Sequence, residues 1–166
     1  MKKEFFILLA GGGLLATAFA LKKKFSDLNE TGYLPDEPDY GEFVTEYEVQ
    51  ITPHFNSSEF RCTKSGGNFR ISVELVQTLE QLRSYWGKPI VINSGYRTPA
   101  YNATLKGASP NSYHMRGMAA DIHINGVSVA QIDNVAADLG FGGRGRYYGD
   151  GFNHLDIGRT RQPWIG

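Results

Sequence analysis

The chain has 166 residues, 17 basic and 17 acidic, so its formal charge is zero and no global field exists to gather nucleic acid or an anionic membrane surface. Its single cysteine, Cys62, excludes an intrachain disulfide and any metal site built on paired thiolates. Ten Phe, nine Tyr and two Trp accompany 20 Gly, a mixture suited to a compact domain with many turns and an aromatic-walled cleft.

Lys2 and Lys3 precede an uncharged run from Phe5 to Leu21, and Lys22, Lys23 and Lys24 follow it. The run sits at the short end of the roughly 17–25 residues that span a bilayer, and Gly11, Gly12 and Gly13 lower its helix propensity. Residues 1–24 are therefore expected to form a hydrophobic helix that acts as a membrane anchor, or a secretory signal with Ala18-Phe19-Ala20 as its cleavage site. Lysines on both flanks leave the orientation open. Residues 25–50 mix acidic side chains with Pro35 and Pro38, lack helical periodicity and read as a tether, with an ordered arm on the domain as the alternative.

Residues 51–166 carry the pattern of one packed α+β domain, a small antiparallel sheet with flanking helices. Ile71, Leu75, Leu79 and Leu82 recur at helical spacing, which predicts an amphipathic helix from Ile71 to about Trp86, stopped by Gly87 and Pro89. Ile90-Val91-Ile92 predicts a short buried strand that runs into the turn-rich Asn93 to Pro99. Residues 100–116 read as a long irregular segment, and such segments inside compact domains are usually functional. A strand follows at about Met118 to Ile124, then a helix marked by Val129, Ile132, Val135, Ala136 and Leu139, N-capped by Ser128 and stopped by Gly140. Phe141 to Tyr148 and Phe152 to Ile157 read as a hairpin, and Trp164 closes the chain.

With thiolates absent, zinc takes imidazole and carboxylate ligands, and a catalytic site uses three of them. His114 lies in a loop, Asp121 enters a strand seven residues later, and His154 lies within another strand 33 residues further on. Small residues at Gly117, Ala119 and Ala120 would let the backbone pass close to a metal. Spacing alone leaves the alternative that each His is a satisfied structural residue.

Read as S-x-H-x-x-G-x-A-x-D, residues Ser112 to Asp121 resemble the signature of the zinc D-Ala-D-Ala carboxypeptidase family, whose superfamily includes L-Ala-D-Glu endopeptidases and the hedgehog signalling domain. Three further stretches resemble its bacterial and phage branch: His54-Phe55 to Ser58-Glu59-Phe60, Ser94 to Asn102, and Phe152-Asn153-His154-Leu155-Asp156. The resemblance runs from about Thr52 to Trp164 and implies Zn2+ held by His114, Asp121 and His154. It also places Arg97 where the family grips a substrate carboxylate, a bidentate task that suits a guanidinium, and Ser112 where a hydroxyl positions substrate or shapes the loop.

Many relatives carry a Glu or His two or three residues before the last ligand, where this chain has Phe152 and Gly151. Asp156, two residues after His154 on a strand and so on the same face, is the first candidate for the general base, as the phage and bacterial branch has an Asp there as well. Asp150 and His123 are the other candidates, and Asp156 as an orienter of a ligand is the alternative role. The resemblance implies a metallopeptidase that cuts peptidoglycan stem peptides in the cell envelope, as a carboxypeptidase or an endopeptidase, of bacterial or phage origin, and a monomer is expected. Tyr96, Tyr147, Tyr148 and Trp164 are expected to wall the cleft. The rival from another class is a zinc-containing wall-binding module without turnover, suggested by the departure at Gly151 and Phe152.

Overall fold

The computed structural model describes residues 41–64, 69–158 and 163–166. The expected hydrophobic helix at residues 1–24 and the tether up to residue 40 lie outside them. Among the described residues no helix is long and apolar enough to cross a membrane.

In chain order the elements are β1 (Phe43–Val44), β2 (Gln50–Thr52), β3 (Phe55–Asn56), a 3-10 turn (Ser57–Phe60), β4 (Ile71–Ser72) and helix α1 (Val73–Trp86). Then come β5 (Val91–Ser94), α2 (Pro99–Thr104), a second 3-10 turn (Tyr113–Arg116), β6 (Ala119–His123), α3 (Val129–Asp138), β7 (Gly143–Tyr147), β8 (Phe152–Asp156) and β9 (Trp164–Ile165). The main sheet has the order β5-β6-β8-β7-β9. It is antiparallel except at its edge, where β9 runs parallel to β7. The expected α+β class and hairpin are both present.

Differences from the expectations have local causes. Ile71 and Ser72 do not begin the helix; they pair with β1, and Ser72 stays extended so that its hydroxyl can accept from the Leu75 amide as the N-cap. Gly87 ends α1 at φ 59°, the left-handed conformation that glycine adopts without a Cβ penalty. Residues 43–50, placed in the tether on composition, join the domain because Phe43 and Val44 are buried and β2 packs beside α1. The stretch read as irregular holds α2, whose start combines a Thr98 N-cap with Pro99 in the first turn.

The sheet has an apolar face and a polar face, set by the two-residue period of β6 and β8. Ala120, Ile122 and Leu155 join Leu75, Leu79, Leu82, Ile132 and Ala136 of the helices in one hydrophobic core. The residues between them, Asp121, His123, His154 and Asp156, fall on the opposite face. One strand therefore supplies both a core wall and a polar site, and its register decides which residues do which.

A second anchoring point ties the β2–β3 turn to α1. Glu80 accepts from the Thr52 hydroxyl at 2.7 Å and the His54 amide at 3.2 Å, and its other oxygen lies 2.5 Å from His54 Nδ1. Burial pushes the Glu80 carboxyl up, but these bonds and the His54 charge outweigh it and hold the group below its ordinary 4.5. A depressed carboxylate stabilises the fold above pH 4.5 and ceases to as pH falls through its lower folded value. Glu80→Gln should lower the urea midpoint at neutral pH and lessen the loss of stability below pH 4.5; an unchanged acid limb would remove Glu80 as its source.

Candidate metal centre

The register of two strands creates the site. Asp121 on β6 and His154 on β8 are direct cross-strand partners, so their side chains stand together on the polar face. His114 enters from the 3-10 turn, which Ser112 caps by accepting from the His114 amide at 3.3 Å. Gly117 ends that turn at φ 70°, and a Cβ there would collide with the Arg70 carbonyl. Of the small residues of this stretch, Gly117 serves backbone approach and Ala120 the core, while Ala119 is on the same face of β6 as Asp121, opposite Asp156.

The convergence is tight. His114 Nε2 lies 3.2 Å from Asp121 Oδ1 and 3.0 Å from His154 Nδ1, and His154 Nδ1 lies 3.0 Å from Asp121 Oδ1. All three residues are buried. The outer nitrogens fix the tautomers: His114 Nδ1 is 2.7 Å from the Gly95 carbonyl, which can only accept, so that nitrogen carries the proton and Nε2 presents a lone pair. His154 Nε2 is 3.1 Å from Asp156 Oδ2, which by the same reasoning leaves the lone pair on Nδ1. Two lone pairs and a carboxylate oxygen therefore face one another, an arrangement that needs a cation or an extra proton between them. The donor set, two imidazoles and one carboxylate, is the one a three-ligand zinc site uses.

The electrostatics agree. Burial pushes the Asp121 carboxyl up, but the charges and hydrogen bonds of the two histidines outweigh it and hold it well below the usual carboxylate range. Burial lowers His114, which therefore stays neutral and able to ligate. For His154 burial also disfavours the charged ring, yet hydrogen bonds to Asp121 and Asp156 and their charges prevail and raise it. The same pair of carboxylates would favour a metal cation in the proton's place.

The turn-rich Ser94 to Arg97 stretch braces this cluster. Gly95 supplies the carbonyl for His114, and any side chain there would meet the Phe60 backbone at 2.5 Å. Arg97 donates from Nε to the Ser94 hydroxyl at 3.0 Å and from a terminal nitrogen to Asp121 Oδ2. Arg97 and Ser112 both line the open cleft, of about 690 Å³, above His114, Asp121 and His154.

The candidate bases are placed differently. Asp156 is fully buried and takes the nitrogen of His154 that points away from the cluster; its other oxygen accepts from the Gly158 amide at 2.9 Å. His123 Nδ1 is 2.8 Å from Asn93 Oδ1 and is not among the residues lining the cleft. Asp150 is exposed in the turn between β7 and β8, also outside the lining. Of the expected aromatic wall, Tyr147 and Trp164 line the cleft, Tyr96 is buried in the core, and Tyr148 is exposed outside it. Phe152, the position where the resemblance leads us to expect an acid or His, stacks on Tyr147 at 4.4 Å and joins the lining of the cleft.

Trp164 reaches the site by a route the sequence did not announce. On β7, Gly145 is the ladder partner of both His154 and Trp164. The indole occupies the space a side chain would fill, and a Cβ at Gly145 would lie 2.7 Å from it. The ring centre lies 5.3 Å from that of His154. Gly145→Ala should cost about 1–3 kcal/mol by overpacking, and less in a Trp164→Ala background, in urea unfolding of the double-mutant cycle. Equal costs in the two backgrounds would mean the indole does not rest there.

Residues 53–156 match the family model for peptidase M15. The chain belongs to the peptidase M15 family. It is 37% identical over 78 residues to the peptidoglycan L,D-endopeptidase MepK of Escherichia coli K12 and to that of Shigella flexneri, across 45% of this chain and 43% of each relative. It is 37% identical over 81 residues to a probable peptidoglycan L,D-endopeptidase MepK of Haemophilus influenzae, across 46% of this chain and 43% of the relative. The match thus spans less than half the length of these curated relatives.

Proposed function

We propose that this chain is a zinc peptidase that hydrolyses a peptide bond in peptidoglycan stem peptides, with His114, Asp121 and His154 as the metal ligands. The observation that carries the reading is the convergence of two imidazole lone pairs on one oxygen of Asp121, at 3.0 and 3.2 Å. Family membership and the peptidoglycan L,D-endopeptidase names of the relatives support the substrate class. Zinc, when bound, supplies Lewis acidity toward a scissile carbonyl and toward water.

The protein's own groups do the rest. Gly95 and Asp156 fix the outer nitrogens of the two histidines, which keeps the inner ones free to ligate. Arg97 steadies Asp121 through its terminal nitrogen, and with Ser112 it is the proposed contact for substrate at the cleft floor. Tyr147, Phe152 and Trp164 form an apolar wall that excludes water from one side of a bound peptide. Asp156 acts as a positioning residue for His154 in this reading. Residues 5–21 are the proposed anchor or export signal that carries the domain to the cell envelope.

A second reading, a zinc-holding wall-binding module without turnover, draws on one observation. Among the described residues lining the cleft, Asp121 is the only carboxylate. Digestion of purified peptidoglycan followed by mass spectrometry of the muropeptides separates the two. New fragments whose mass difference equals hydrolysis of one peptide bond support the peptidase and name the bond, with the relatives favouring an endopeptidase over a carboxypeptidase. An unchanged muropeptide profile favours the binding module.

A further inference from the structure

The cleft contains a cation that the chemistry above does not use. Among its described lining residues the permanently charged basic groups are Arg97 and Lys106. Arg97 already serves two partners, Asp121 and Ser94. Lys106 is exposed and has no ion pair or hydrogen bond among the described residues.

Its backbone is held in place by a chain of local bonds. The Ala108 amide donates to the Leu105 carbonyl at 3.2 Å and Gly107 has φ 78°, which makes Leu105 to Ala108 a type II turn with Lys106 at its first central position. Buried Asn102 donates from Nδ2 to the Ser109 carbonyl at 2.9 Å, and the Ser109 hydroxyl accepts from the Asn111 amide at 3.1 Å. These bonds fix the rim segment to α2, and Lys106, exposed and unpaired among the described residues, belongs to the lining of the cleft. An ammonium free of protein partners recognises an anion as a point charge, without the planar register an arginine imposes.

We propose that Lys106 binds a free carboxylate of the peptide lying in the cleft and thereby selects acidic over amidated stem peptides. This rests on the reading of the chain as a peptidoglycan-directed protein, but not on turnover. Stem peptides carry several carboxylates that can be free or amidated, so such a contact would separate otherwise similar walls. It also divides the cationic labour, with Arg97 steadying Asp121 and contacting the peptide beside the metal ligands, and Lys106 capturing a further substrate charge.

The test is a tryptophan-fluorescence titration of the full chain, recorded before turnover accumulates, with a synthetic stem peptide whose carboxylates are free and with the same peptide fully amidated. The parent should bind the acidic form about fivefold to tenfold more tightly, an advantage that shrinks with added salt, as expected for a partly exposed charge pair. Lys106→Ala should lose most of this preference, keeping at most the share that Arg97 supplies, and Lys106→Arg should keep most of it. A merely structural lysine would weaken both forms equally and leave the ratio intact. A parent without preference, or a Lys106→Ala variant that retains it, overturns the proposal. Loss of the preference in Lys106→Ala, together with no hydrolysis by the parent, would uphold this contact while defeating the peptidase reading.

Discussion

Replacing His114 or His154 by alanine should strip the protein of zinc and reduce hydrolysis by on the order of 1,000-fold or more, the equivalent of several kcal/mol of lost transition-state stabilisation. The expectation follows from the tautomers. Each inner nitrogen is a lone pair because each outer nitrogen donates to a fixed acceptor, the Gly95 carbonyl for His114 and Asp156 for His154. Removing either ring takes away one of three ligand atoms that lie within 3.2 Å of one another. Folding should survive, since His114→Ala leaves one buried carbonyl unpaired, a cost of about 1–3 kcal/mol. Elemental analysis checks it directly: the parent should hold about one zinc per chain, the variants much less. Full zinc in both variants would sink the ligand assignment.

Asp156→Ala is expected to weaken zinc binding by roughly 10- to 100-fold while leaving most of the turnover of the fully zinc-loaded protein. The carboxylate is fully buried and holds His154 by Nε2, the side remote from Asp121. It therefore orients the ring and raises its basicity. A proton-accepting base would behave oppositely, with zinc retained and the rate down by about 100- to 10,000-fold. Zinc titration and kcat at saturating metal, measured on the same preparations, distinguish the two. A variant with unaltered zinc affinity and a collapsed kcat would restore Asp156 to the role of base.

The difference between those two roles shows where reading residues in sequence stops. Strand periodicity correctly puts Asp156 on the same face as His154. It does not say which nitrogen of the imidazole the carboxylate will meet, because that depends on the ring's rotamer, and the rotamer is set by Asp121 on the neighbouring strand. The three candidate ligands were legible because their spacing resembles a family pattern, and α1 and α3 because their apolar periodicity is long and capped. β1, β4 and β9 were not, since each is only two residues long and owes its existence to a partner distant in the chain. Gly145 carried a signal that went unread: a glycine inside a strand often marks the close approach of another group, here the indole of Trp164. The turn residues from 93 to 99 dominate the local pattern and hide the helix start at Thr98-Pro99, so composition alone makes residues 100–116 look irregular.

The most direct test of the whole account is the metal dependence of muropeptide release. Purified protein stripped with a chelator should leave peptidoglycan intact. Adding back about one equivalent of zinc should restore peptide-bond cleavage in the parent but not in His114→Ala or His154→Ala, with mass spectrometry reading the fragments. Cleavage that persists at the same rate in the stripped protein, or that zinc restores equally in both histidine variants, would contradict a metal centre built on His114, Asp121 and His154.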